Sequence, residues 1–244
     1  MVLPLDDDFL ALLTDEETSS WCPRVVSATI LSANSDVATV RFVDTDNTTR
    51  SGRLPVTEYA SSKKWQVDEE LILLQCDNSA RPIMSNTDER LVTALLDGLS
   101  PEVRTGKVRV MAVARRPGQR VKIAVASTVE GIDPVAACVG RAHNRVDAVR
   151  EGLGGEQVDI VPWHPDAEQF LKNAIQPAKA THVFFDQKSS VALVVCPDHQ
   201  MSAAVGGGGL NSALAGELLG RPVRVVKESS ATRFLKSPES SNKE

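Results

Sequence analysis

An internal repeat between residues 88 and 227 constrains the fold of this chain more than any other feature. Each half predicts the same order of elements: a helix, two strands, a helix that ends at a glycine, a turn, a second helix and a last strand. The pairs Val139-Gly140 and Val205-Gly206 occupy the same place in the two halves, and a strand-like segment follows each glycine at nearly the same distance. The chain therefore contains two copies of one α+β unit.

Hydrophobic periodicity supports both copies. The segment RVKIAVAS alternates in the manner of a strand, with Val, Ile and Val on one face. In the helix after the first turn, Val146, Val149 and Leu153 fall on one face, and Gly154-Gly155 supplies a stop. The segment GGGLNSALAGELLG carries the corresponding stripe in the second copy.

Five short segments rich in Val, Ile, Leu and Thr precede the repeat. They read RVVSATIL, VATVRFVD, GRLPV, ELILLQC and RPIMS, and turn-forming residues separate them. Five strands fit a small closed barrel of the OB type. A two-sheet sandwich is the alternative, but it usually needs more strands. The predicted fold class is therefore multidomain α+β, with a small OB-fold β-barrel followed by the two repeat units.

The two ends of the chain differ from its middle. The acidic leader predicts a short amphipathic helix from Phe9, Leu12 and Leu13, which packs on the barrel or docks on a partner. The last residues are polar and Ser-rich, which predicts a disordered tail. The predicted divisions are the leader at 1–20, the barrel at 21–87, the first repeat at 88–163, the second repeat at 164–227 and the tail at 228–244.

Composition excludes several classes of protein. No stretch approaches the roughly 20 apolar residues of a membrane helix, and the acidic start is no signal peptide, so we expect a cytoplasmic protein without membrane contact. The four cysteines form no CxxC pair and the histidines show no metal-ligand spacing, so we expect no metal and no cofactor. The net charge is −5, yet the segment from Arg104 to Arg150 holds ten bases and three acids. Such a local excess either attracts phosphate or forms a solvated basic face.

A glycine turn between two helices is suited to holding a nucleic-acid backbone. The chain must turn sharply, which favours residues without Cβ. The second helix then offers the free N–H groups of its first turn, with a partial positive charge, to a phosphate. In a KH domain this turn has the pattern GXXG and clamps about four nucleotides. Here the two turns read Gly140-Arg141-Ala142-His143 and Gly206-Gly207-Gly208-Gly209.

The repeat resembles a known family. The segments AVARRPGQRVKIAV, IDPVAACVG and GGEQVDIV are similar to the first KH domain of bacterial NusA proteins, and MSAAVGGGGLNSALAGELLGRPVRVV is similar to their second. Residues 24–87 resemble the S1-type barrel that precedes this pair. The resemblance, over roughly residues 20–227, implies two tandem type II KH domains. It also implies binding of single-stranded nascent RNA and modulation of transcription elongation, pausing, termination or antitermination by RNA polymerase.

This sequence departs from the family pattern in four ways. The short leader has no room for the family's N-terminal polymerase-docking domain, which puts contact with polymerase in doubt. His143 replaces the last glycine of the first turn, and histidine adopts a positive φ at some cost. The second turn and the helix after it carry no Lys or Arg. The barrel has few aromatic rings, and we expect Trp21 and Phe42 in its core rather than under stacked bases.

The first repeat is the expected main site. Arg141 and Arg145 should be the best phosphate contacts, whereas Arg115 and Arg116 are either contacts or ordinary hairpin charges. The glycines are either clamps or plain helix caps, and the repeat favours clamps. The candidate RNA-binding residues are Gly140, Arg141, Ala142, His143, Arg145, Arg150, Arg115, Arg116, Arg120, Lys122, Gly206, Gly207, Gly208 and Gly209.

Enzyme functions find little support in the sequence. The GGGG segment lacks the Lys-Ser/Thr of a P-loop, and no Ser, Cys or His stands in a catalytic pattern, so no catalytic residue is predicted. The leading hypothesis is a monomeric RNA-binding transcription factor. The second is a protein–protein interaction module with decayed RNA binding, whose leader binds RNA polymerase or a full-length NusA. The third is an RNA-binding protein of ribosome maturation or translation.

Overall fold

The computed structural model describes residues 23–60, 65–185 and 190–231. The described residues form two compact units. The first ends at Leu95 and also includes Glu151–Gly155, and the second comprises Leu96–Arg150 together with the residues from Glu156 onward. No helix in the described part of the chain has the length and apolarity to cross a membrane. The predicted leader helix lies outside the described residues.

The first unit contains the predicted five strands as one curled antiparallel sheet. Its strand order, β3-β2-β1-β4-β5, joins every neighbouring pair antiparallel. An isolated bridge between Arg53 and Ile83 brings β3 back to β5 and closes the sheet in the order of an OB barrel. The strands are β1 (Arg24–Ala33), β2 (Val37–Val43), β3 (Thr49–Pro55), β4 (Glu70–Gln75) and β5 (Met84–Ser85).

The closure of this barrel depends on a glycine. A Cβ on Gly52 would lie 2.7 Å from Met84 Cγ, so only glycine lets β3 approach β5 this closely. Beside it, the backbone N–H of Arg53 donates to Pro82 O at 2.8 Å. Phe42 is buried in the core of the barrel as predicted, and Trp65 packs against that core; Trp21 lies outside the described residues.

The first repeat has the predicted order of elements, with one addition. After α1 comes a short helix that the hydrophobic pattern did not reveal, and its start follows from Pro101 at the first helical position. The strand order is β6-β7-β8, with β6 antiparallel and β8 parallel to β7. The elements are α1 (Arg90–Leu99), α2 (Pro101–Arg104), β6 (Val108–Arg116), β7 (Arg120–Ser127), α3 (Pro134–Val139), α4 (Asn144–Gly152) and β8 (Gln157–Pro162).

The second repeat has the same topology. Its central strand pairs antiparallel on one side and parallel on the other, in the order β11-β10-β9. The chain after the last strand differs from the prediction, because Glu228–Ser230 forms a 3-10 turn and Ala231 is fully buried. The elements are α5 (Ala167–Ala174), β9 (His182–Phe185), β10 (Ala192–Cys196), α6 (Met201–Val205), α7 (Leu210–Leu219) and β11 (Val223–Lys227).

The two repeats share one hydrophobic core within the second unit. Small residues on one face of the first sheet, Ala114, Ala124 and Val161, belong to the same buried cluster as Phe170 and Leu214 of the second repeat. Helix α7 contacts β6 and β7 directly. The second repeat therefore packs on the sheet of the first, and the two glycine turns belong to one compact body.

Candidate nucleic-acid interface

The first glycine turn joins α3 to α4 and is exposed at its tip. Gly140 has φ 77° and ψ 173°, and Ala142 and His143 follow with φ 50° and 66°. A Cβ at position 140 would lie 2.3 Å from Asn144 Oδ1 and 2.6 Å from Arg145 Cγ, so glycine is required for space as well as for conformation. Histidine does take the positive φ that its position in the motif predicted.

Two consecutive left-handed residues that are not glycine carry strain. The left-handed region costs an L-residue about 1–2 kcal/mol, and both Ala142 and His143 adopt it. Such strain concentrates at functional loops, where surrounding structure holds it in place. The first turn is therefore kept in a shape that its own residues do not favour.

Arg145 supports this turn from within. Its Nη1 donates to Ala137 O at 2.5 Å and to Glu102 Oε2 at 2.8 Å. The Ser100 hydroxyl lies 3.0 Å from the same carboxylate and 3.2 Å from the same carbonyl, which share its one hydrogen. The backbone N–H of Glu102 lowers the pKa of its own carboxyl, and Ser100 and Arg145 add to that effect against the opposing desolvation. Arg145 thus braces α3 against α4, and its predicted role as a phosphate contact stays a prediction.

The second glycine turn joins α6 to α7 with nearly the same backbone. Gly206 has φ 76° and ψ 166°, Gly208 has φ 60°, and Gly209 has φ 80°. A Cβ at position 206 would lie 2.7 Å from both the backbone N and the Cβ of Asn211. Gly207 and Gly208 are exposed, with open space around each.

Asn211 is the counterpart of Arg145 and was missed by sequence reasoning. Its side-chain N–H₂ lies within hydrogen-bond distance of Ala203 O at 3.2 Å, Ala204 O at 3.0 Å and Ile175 O at 3.0 Å, and these three carbonyls share its two hydrogens. It is fully buried and occupies the same place after the turn's first glycine as Arg145 does. That shared place in the repeat is the signal that could have revealed it.

The four candidate cations of the β6–β7 hairpin are engaged in ion pairs. Arg115 is only 4% exposed and forms two hydrogen bonds with Glu156, at 2.8 and 2.9 Å. Arg116 Nη1 donates to Glu217 Oε2 on α7 at 2.8 Å, which ties the hairpin to the second repeat. A surface position for Arg115 is wrong, since its carboxylate partner is buried with it.

Asp159 on β8 holds the other two candidates from this hairpin. Arg120 Nε donates to Asp159 Oδ2 at 2.7 Å, and Lys122 Nζ donates to the same oxygen at 2.9 Å. Lys122 is fully buried; burial lowers its pKa and the nearby Asp159 opposes that effect. The placement of Lys122 in a binding surface is corrected, because no part of its side chain reaches solvent.

Arg141, His143 and Arg150 keep solvent-facing side chains near the first turn. Among the described residues no carboxylate pairs with Arg141, and Arg150 pairs with Asp147 at 2.9 Å one helical turn away. An exposed pair of this kind contributes little and leaves Arg150 available. Of the basic block predicted from sequence, these residues are the exposed cations at the first turn, whereas Arg115 and Lys122 are buried.

Each turn lies at the end of a helix that contacts an edge strand. Helix α3 contacts β8, and α6 contacts β11. Both strands are the last of their sheets, so one side of each remains unpaired within the described residues. Ile160 on β8 and Val226 on β11 are half-buried, and Lys227 is exposed. This is the arrangement in which a KH domain holds bases against an apolar strand beside its glycine turn.

The barrel offers fewer free cations than its arginine content predicts. Asp44 accepts from Arg24 and from Arg50, and these bonds hold the pKa of Asp44 well below its usual range. Arg41 and Arg53 remain exposed. In the described part of the chain no group of three His, Cys, Asp or Glu residues is arranged to hold a metal.

Comparison with known proteins agrees with this geometry. Residues 86–163 match the family model described as the NusA-like first KH domain, and residues 167–233 match the NusA-like second KH domain. The protein of Thermus thermophilus named transcription termination/antitermination protein NusA is 36% identical over 174 residues, which are 70% of this chain and 44% of the relative.

Two further relatives carry the same name. That of Borreliella burgdorferi is 38% identical over 143 residues, which cover 58% of this chain and 30% of the relative. That of Mycobacterium tuberculosis is 36% identical over 194 residues, which cover 77% of this chain and 56% of the relative. The chain thus spans about half, or less, of the length of the curated relatives it matches.

Proposed function

Since the chain is a NusA-like protein that contains the first and second KH domains of that family, we propose that it binds single-stranded RNA through both glycine turns and acts in transcription termination or antitermination. The observation that carries the proposal is the pair of exposed turns with nearly the same backbone conformation, held in one compact unit. The relatives are named as termination and antitermination proteins. We propose that it acts as a cytoplasmic monomer, without a cofactor or a catalytic residue.

In this proposal, both charged side chains and backbone amides bind the phosphates of the RNA. Arg141 and Arg150 attract phosphate beside the first turn, while the first N–H groups of α4 and α7 face the backbone of the RNA. Because the hairpin cations are paired, few phosphates are neutralised. For single strands, the logarithm of the binding constant falls with the logarithm of the salt concentration, with a slope of about −0.7 for each phosphate contact. We expect two or three such contacts, and therefore a shallow dependence on salt.

Fluorescence anisotropy with unstructured RNA of about 20 nucleotides tests the proposal, since each KH turn clamps about four nucleotides. We expect binding at low salt and a loss of about tenfold in Arg141→Glu, which reverses one charge at the first turn. Arg109→Glu is the matched control, because Arg109 is exposed on β6, the opposite edge of the same sheet. Absence of RNA binding at low salt in the unaltered chain would eliminate the proposed function.

A protein–protein interaction module is the second candidate function. The observation that favours it is the pairing of the hairpin cations with Glu156, Asp159 and Glu217, which removes much of the predicted basic surface. On this alternative, RNA polymerase or a full-length NusA is the partner, and Arg141→Glu leaves its capture unchanged. Deletion of residues 1–20 should then abolish capture, whereas capture that survives the deletion argues against this alternative.

A further inference from the structure

Lys122 makes a polar connection between the two repeats. Its ammonium group is fully buried in the sheet of the first repeat and donates to Gln176 O of the second repeat at 3.0 Å. Its other acceptor, Asp159, is its direct neighbour on β8 in the same sheet. A buried lysine that bonds across two domains is costly to desolvate, so apolar packing alone does not explain it.

The apolar part of this contact does little to fix its geometry. The first repeat contributes small side chains there, among them Ala114, Ala124 and Val161. Apolar burial is non-directional, so these small side chains constrain the packing angle less than hydrogen bonds do. A hydrogen-bonded ion pair restricts such a contact to one register, a role best attested for buried polar groups at helix interfaces.

The connection continues to the second glycine turn. Ile175 O, one residue before the carbonyl that Lys122 holds, accepts from Asn211 at 3.0 Å. The same amide of Asn211 donates to Ala203 O and Ala204 O at the end of α6, directly before the turn. Residues 175 and 176 thus connect the first sheet with the base of the second turn through two successive carbonyl groups.

We infer that Lys122 is a positioning residue, which sets the second glycine turn relative to the first so that one RNA strand engages both turns at once. The inference rests on the proposed RNA binding and names a residue that helps the two sites act together, alongside the Arg116–Glu217 pair. Two sites held in a fixed arrangement gain affinity for a ligand that spans them, commonly by a factor of about 10²–10⁴. Loss of the fixed arrangement reduces that gain without altering either site.

The substitution Lys122→Met, of similar length and without charge, tests the inference. Two unstructured RNAs of random sequence are titrated: one of about four nucleotides, which fills one turn, and one of about 20 nucleotides, which spans both. We expect the affinity for the long RNA to fall about tenfold, and the affinity for the short RNA, followed by NMR at the turn amides, to change less than about twofold. The thermal midpoint should fall, because Met takes a donor away from Gln176 O and leaves Asp159 paired with Arg120.

Lys172→Met is the matched control, because Lys172 pairs with Glu168 at 2.7 Å one turn away on α5, an ion pair within the second repeat. Equal affinities of Lys122→Met and the unaltered chain for the long RNA would overturn the inference and leave the proposed function intact. Failure of the unaltered chain to bind either RNA would instead overturn the proposed function. If Lys122→Met is unfolded, Lys122→Gln replaces it, since its shorter amide cannot reach Asp159 and Gln176 together. This variant must then also lose affinity for the long RNA while it keeps its affinity for the short RNA.

Discussion

The two glycine turns have nearly the same backbone conformation but different side chains. Gly140 and Gly206 agree within 1° in φ and 7° in ψ, and left-handed residues follow both. The first turn carries Arg141 and His143, whereas the second has only hydrogen atoms in their places. The shape of the turn is thus a property of the fold that two different sequences reach, and charge is the part that varies.

The two turns also differ in the strain of their backbone. Ala142 and His143 are held in the left-handed region, while Gly208 and Gly209 adopt it freely. Below the turns, Arg145 relies on a carboxylate and a carbonyl, and Asn211 relies on three carbonyls. The first turn is charged, strained and supported by an ion pair, and the second is neutral, relaxed and supported by an amide.

The largest expected effect concerns the close approach under the second turn. Gly206→Ala places a Cβ 2.7 Å from the backbone N of Asn211 at a φ of 76°, and backbone cannot move aside easily. We expect the free energy of unfolding to fall by about 3 kcal/mol, measured by urea unfolding. Gly207→Ala, in open space beside it, is the control and should change stability by less than about 0.5 kcal/mol.

The same substitution distinguishes the two turns. At Gly140 the new Cβ meets side-chain atoms, Asn144 Oδ1 and Arg145 Cγ, which yield more readily than the backbone that it meets at Gly206. Gly140→Ala should therefore destabilise the protein by about 2 kcal/mol, less than Gly206→Ala, through its positive φ with an extended ψ and the displacement of these side chains. A larger loss at Gly140 than at Gly206 would contradict this reading of the two supports.

Much of this architecture was predictable from sequence, because it depends on local patterns. The repeat, the glycine ends of α3 and α6 and the barrel strands all follow from spacing and turn residues, and Pro101 would have revealed α2. The partners of the basic residues were not predictable. Glu156 and Glu217 lie far along the chain from Arg115 and Arg116, and nothing in their spacing shows that the fold brings them together. A count of bases therefore overestimated the exposed positive charge.

An arginine added to the second turn tests whether side-chain charge sets the difference in RNA affinity between the two turns. Gly207→Arg places at the second turn the residue that Arg141 supplies at the first, and space is open there. We expect RNA affinity at low salt to rise about three- to tenfold and the salt slope to steepen by about 0.7, as for one added phosphate contact. Gly98→Arg adds the same charge at another exposed glycine with open surroundings and should leave both unchanged. Equal gains in the two variants would mean that only net charge matters.

Removal of strain from the first turn should stabilise the protein slightly. His143→Gly lets a residue with φ 66° adopt its conformation freely, which offsets the greater flexibility of glycine in the unfolded chain. We expect a gain of about 0.5 kcal/mol in the free energy of unfolding. His199→Gly is the control, since His199 is exposed within the 3-10 turn Asp198–Gln200 and has no positive φ; it should lose a similar amount. A loss at both positions would show that the left-handed histidine is not strained.

The smallest expected effect is a pH dependence that belongs to one turn only. Glu102, which holds Arg145 under the first turn, has a pKa below its ordinary 4.5. A carboxyl whose pKa is lower in the folded state contributes stability above its unfolded pKa and loses that contribution as the pH falls through the folded pKa. The amide resonances of Arg141–His143 should therefore shift as the solution is acidified below pH 4.5, while those of Gly207–Gly209 stay in place, because Asn211 does not titrate. Glu102→Gln should remove this difference, and amides of the two turns that shift together would show that the support of the first turn does not depend on Glu102.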